Sequence, residues 1–91
     1  MSRFDAFRFE KRTIWGHTIM IDHSGLSRSF FVFWSIQRHA FDEAQAREIA
    51  QEIARGWGAK VISVWPVAHS RAARALREQG RAYQWRAAFT Y

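Results

Sequence analysis

Residues 29–58, SFFVFWSIQRHAFDEAQAREIAQEIARGWG, change their hydrophobic period partway, and that change decides the fold. In the first part Phe30, Val32, Trp34 and Ile36 share one side of an extended chain, while Phe31 and Phe33 occupy the other. After Asp42 the period becomes 3.6. Ala46, Ile49, Ala50, Ile53 and Trp57 then fall within about 100° of a helical wheel, and Glu48, Gln51, Glu52 and Arg55 lie opposite. Asp42 is a good N-cap, Gln45 three residues later can close a capping box, and Gly56 or Gly58 ends the helix. A strand leading into an amphipathic helix implies a sheet for the apolar stripe to lie on.

Upstream, Phe7 and Phe9 share a side, as do Trp15, His17, Ile19 and Ile21. The alternation predicts strands over about residues 4–10, 13–22 and 29–38, with Glu10-Lys11-Arg12 as the first joint. Asp22-His23-Ser24-Gly25-Leu26-Ser27 supplies the turn residues between the second and third strands. Downstream, residues 60–66 are short, β-branched and apolar, which predicts a further strand ending near Pro66. Ser70 can cap a second helix that runs to about Gln79 and stops at Gly80. A last strand over residues 84–91 turns Trp85, Ala87, Phe89 and Tyr91 inward. The expected order is β-β-β-α-β-α-β: one α+β domain, an antiparallel sheet of about five strands with two helices on one face.

Composition narrows the function classes. The chain has 91 residues, 48% of them hydrophobic, with 8 Phe, 5 Trp and 2 Tyr, enough apolar surface for a core. Cys is absent, which removes disulfides, thiolate catalysis and Cys-based metal sites. The N-terminal residues lack the apolar run of a signal peptide, and the stretch from Phe30 to Trp34 is far short of the ~20 residues that span a bilayer, so the expected location is the cytoplasm.

Fourteen Lys+Arg against eight Asp+Glu leave a formal net charge of +6. Twelve of the basic residues are Arg, which favours bidentate phosphate contact, although a GC-rich genome inflates Arg and Ala alike. The charge is uneven: residues 1–41 carry +3, residues 42–69 carry −1 and residues 70–91 carry +4. On the second helix Arg71, Arg74 and Arg77 span about 120°, opposite Ala72, Ala73 and Leu76. Arg81 and Arg86 follow, with Glu78 as the local acid. Such a stripe suits phosphate, and equally a solubilising face.

The aromatic strand offers a second surface. If Phe31 and Phe33 point away from the helices, beside Arg28 and Arg38, they can stack bases or receive a partner together with Trp15; if the sheet is covered or dimerises, they are core. Little else resembles a chemical site. His17, His23, His39 and His69 form no i, i+4 pair, so no metal or other cofactor is expected. Asp22-His23-Ser24 holds triad residue types, but three consecutive residues cannot converge, and a turn is the simpler reading.

These observations predict a small non-enzymatic protein that contacts nucleic-acid backbone, DNA or RNA, through Arg71, Arg74, Arg77, Arg81 and Arg86, with Arg28 and Arg38 beside them. The alternative is a protein-interaction module or inhibitor, of the size encoded by phages and mobile elements, whose aromatic sheet face (Phe31, Phe33 and Trp15) meets an acidic partner or a second copy of the chain. A third is a metal-independent nuclease using His39, His69 and arginines.

Overall fold

The alternating segments pair as a meander that a late strand completes. The computed structural model describes residues 9–23 and 29–91. Five strands, β1 (Phe9–Ile14), β2 (His17–Asp22), β3 (Phe30–Ser35), β7 (Gln84–Thr90) and β5 (Lys60–Val67), lie side by side in the order β1-β2-β3-β7-β5. All neighbours are antiparallel. A separate two-residue ribbon joins β4 (Phe41–Asp42) to β6 (Arg81–Ala82). Helix α1 (Glu43–Arg55) follows β4, and α2 (Arg71–Glu78) connects β5 to β6. The α+β class and the antiparallel five-stranded sheet are as expected; the β4–β6 ribbon is an addition, because two-residue strands carry no periodic signal.

Local chemistry sets the boundaries. The Asp42 carboxylate accepts from the Gln45 amide at 2.8 Å, and the Gln45 side-chain oxygen accepts from the Asp42 amide at 3.1 Å, closing the capping box. Ser70 Oγ accepts from the Ala73 amide at 3.0 Å and starts α2, and Gly80 at φ +76 follows its end. The first hairpin departs from expectation. Glu10-Lys11-Arg12 lies inside β1, and the chain reverses instead at Trp15-Gly16, whose φ values are 51 and 80. Positive φ at both turn residues gives the twist a two-residue hairpin needs, and Gly16 adopts it without steric cost. β3 ends at Ser35, three residues earlier than predicted, where Gln37 folds back to take the Thr18 amide on its side-chain oxygen. The predicted strand residues 4–8 and the loop residues 24–28 lie outside the described residues.

Register divides the sheet into two faces. Ile19, Ile21, Phe31, Phe33, Trp85, Ala87 and Phe89 point to one side and meet Ala46, Ile49, Ala50, Ile53 and Ala54 of α1. Phe41 and Ala82 of the ribbon join the same core. Trp57, just past α1, closes its edge with its ring at 5.2 Å from Phe31 and 5.5 Å from Phe89. Burying each large apolar side chain is worth roughly 1.5–3 kcal/mol, so this one-sided core holds the sheet and α1 together. Phe31 and Phe33, expected as a partner-binding surface, are 1% and 0% exposed; α1 covers the side on which they sit, and this corrects that expectation.

Candidate nucleic-acid interface

The other face of the sheet carries the residues that alternate with the core. Cross-strand register arranges them in rows. One runs Phe9, Asp22, Val32, Arg86, Trp65, and the next Lys11, Met20, Trp34, Gln84, Val67, with Phe30 and Ala88 beside the first. None of these residues is buried, and no element among the described residues lies over them. Adjacent rungs are ~4.8 Å apart, so five strands make a platform ~20 Å wide.

Arg86 is the basic centre of this platform. Its guanidinium sits 5.0 Å from the Phe30 ring centroid and 6.0 Å from that of Trp65, and the two rings meet edge to face at 6.1 Å. A guanidinium over an aromatic face gains about 0.5–1 kcal/mol at an exposed site, which favours this position of the side chain. Trp34, half-buried one row away, has no ring partner among the described residues. β3 thus presents aromatics to both sides: Phe31 and Phe33 to the core, Phe30 and Trp34 to the open face.

Helix α2 continues the basic surface. Its Ala73 and Leu76 are half-buried where it leans on β6, and Arg71, Arg74 and Arg77 are exposed. Ion pairs among the described residues join Arg12 to Glu10, Arg47 to Glu43 and Arg55 to Glu52, so these three arginines have no carboxylate partner there. A cleft lined by Val67, His69, Ser70, Ala73, Tyr83 and Gln84 lies where α2 begins. Val67 and Gln84 also face outward from the open sheet, so platform and helix meet in one surface.

The remaining expected residues are scattered. Arg81 is exposed on β6, but its guanidinium donates to the Ala40 carbonyl at 3.4 Å and so ties the ribbon to the chain before it. Arg38 is exposed in the segment after β3 at φ +59, and Arg28 lies outside the described residues. Trp15 is 59% exposed at the tip of the first hairpin. His39 packs on His17 and Phe41, both at 4.9 Å, whereas His69 lines the cleft. Among the described residues no three His, Asp or Glu side chains group as metal ligands, and no helix is long and apolar enough to cross a membrane.

Sequence reasoning missed Phe30, Trp34 and Trp65 as surface residues. Residues 30–34 are apolar at every position, so alternation shows two faces without saying which is core. Arg86 held the one usable signal, since a cation alternating with Trp85 and Ala87 marks its own side of β7 as wet. No protein-family model matches the chain, and neither a curated protein nor a solved structure matches it.

Proposed function

We propose that this chain is a non-enzymatic binding protein that holds nucleic-acid phosphates on Arg71, Arg74 and Arg77 of α2, with Arg86 of β7 extending the contact. The observation that carries this reading is the set of three exposed α2 arginines without a carboxylate partner among the described residues, in a segment, residues 70–91, of charge +4. Guanidinium groups of this kind exchange condensed counterions for phosphate, so affinity comes from the backbone and sequence preference is weak. Arg81, engaged with Ala40, contributes less than the other four. Such ligands are met in the cytoplasm, where the reading places the protein.

Reversing two charges tests it. Arg74→Glu with Arg77→Glu touches no buried side chain, so the fold survives while binding to a fluorescent oligonucleotide is abolished. Four phosphate contacts predict that log affinity falls with log salt at a slope of about −3 to −4. Unchanged anisotropy titrations for the double variant would refute the reading. A second reading, a protein-interaction module or inhibitor, is favoured by the open sheet face. It now rests on Phe30, Trp34 and Trp65, with Trp15 at one hairpin tip, and it leaves partner binding intact in the charge-reversed variant.

A further inference from the structure

We infer that the open sheet face takes the unpaired bases of a single strand, with Trp34 as a stacking platform and the Arg86–Phe30–Trp65 cluster as a second, so that the preferred ligand is single-stranded and not duplex. The inference rests on the proposed phosphate-binding function and adds the part of the ligand that α2 does not reach.

Three observations carry it. Among the described residues the face combines half-buried and exposed aromatics with two cations, Arg86 and Lys11, and one acid, Asp22. Bases offer π-faces to the aromatics and phosphates offer charge to the cations, so both features of the face are complemented at once. The open face is also continuous with α2 through Val67 and Gln84 at the cleft. A strand laid across β3 and β7 therefore runs on toward Arg71 and Arg74. Finally, Arg86 already rests against Phe30 and Trp65, its guanidinium carbon 5.0 and 6.0 Å from the two ring centroids. Little ordering remains to be done when a base or phosphate arrives.

Other occupants fit less well. Duplex DNA keeps its bases stacked inside, and its grooves admit a helix or a two-stranded ribbon, not the broad face of a five-stranded sheet. Duplex contact through α2 alone would leave Phe30 and Trp34 unused. A second copy of the chain would bring two like-charged faces together, each with Lys11 and Arg86, on molecules of net charge +6.

Binding of a dT12 strand, an abasic strand of equal phosphate number and a 12-base-pair duplex separates these cases. The abasic strand keeps the charge and removes the π-faces. The wild-type protein is expected to bind dT12 about tenfold or more tighter than the abasic strand, the size of one well-stacked base. Trp34→Leu, which keeps apolar cover, is expected to cut that advantage severalfold, leaving what the Phe30–Trp65 platform supplies, with abasic binding unchanged; Trp34→Phe restores most of it. Thermal melts of both variants confirm that they fold. Equal affinity for dT12 and the abasic strand, unmoved by Trp34→Leu, overturns the stacking inference while phosphate binding through α2 stands. Tighter duplex than dT12 binding overturns it in favour of groove contact by α2. A dimer in light scattering that Trp34→Leu dissolves assigns the face to a second copy. Loss of all three ligands at low salt removes the phosphate reading as well.

Discussion

Arg12 shows how much structure one charged side chain can hold. From β1 it donates to the Ile53 carbonyl at 3.0 Å and the Glu52 carbonyl at 3.4 Å, pairs with Glu10, and lies 5.5 Å from the Trp57 ring centroid. It thereby adds a charged donor to carbonyls of the last turn of α1, that of Ile53 also accepting from the Gly56 amide at 3.2 Å, and places a cation at the negative end of the helix. Gly56 caps α1 in a right-handed helical conformation at φ −62, and a Cβ there would come within 2.5 Å of Arg12 Nη1, the movable tip of a side chain that would have to give up its bonds to α1. Gly56→Ala should therefore destabilise the wild-type protein by about 1 kcal/mol, because Arg12 must withdraw. In an Arg12→Ala background the same change should stabilise by about 0.5–1 kcal/mol, the ordinary preference of a helical site for Ala over Gly. Denaturant melts of the four-member cycle decide it, and the same sign in both backgrounds would refute the packing argument. Trp15 poses the opposite case. A bulky residue at φ 51 pays roughly 1 kcal/mol that Asn at the same turn position avoids, so Trp15→Asn should raise the melting temperature by a few degrees. A lower melting temperature would mean that the indole contributes packing beyond its strain.

Helix α2 is a weak element carrying the proposed phosphate contacts. It has eight residues, buries none of them fully and depends on Ser70 for its first turn. Isolated helices of this length are marginal in water, so its order comes from the cap and from Ala73 and Leu76 against β6. Ser70→Ala should cost about 1 kcal/mol locally, lowering hydrogen-exchange protection across residues 71–78 while strands β3 and β7 keep theirs. Uniform loss of protection would show that α2 and the sheet unfold as one unit. Elements of this kind were the legible part of the chain. Asp42, Gln45, Ser70 and Gly80 signal their roles through side chains or φ values that few residues supply, and each boundary falls within about a residue of its signal. The first hairpin was hidden because Trp-Gly is not the usual Asn-Gly at such a turn, and tertiary pairing of β1 with β2 imposes the conformation. On β3 the core side could not be chosen, since Phe30 to Trp34 is apolar on both faces. Phe31 and Phe33 are core because the apolar stripe of α1 packs on their side of the sheet, which leaves Phe30, Trp34 and Trp65 on the other.

At the scale of the whole molecule, the uneven charge visible in the sequence and the open face invisible in it combine into one behaviour. The chain carries +6, and the ion pairs among its described residues are partly exposed, so each contributes little. Self-repulsion among the arginines opposes folding, and a Debye length of about 10 Å at 0.1 M salt screens it progressively. Added salt should therefore raise the melting temperature of the free protein slightly. Bound polyanion relieves the same repulsion by contact, and ligand at a hundred times its dissociation constant adds about 2.7 kcal/mol, on the order of 10 °C for a domain of this size. Because that affinity itself falls with salt, the two effects have opposite signs. With dT12 at fixed concentration, the stabilisation should be largest at low salt and should shrink until the bound and free melting curves coincide, while the free curve moves upward. The Arg74→Glu, Arg77→Glu protein, with much less repulsion to relieve, should melt higher than wild type at low salt and show no oligonucleotide shift. A wild-type shift that persists unchanged at high salt would instead mark an uncharged contact, and would move the binding energy from the arginines to the aromatic face.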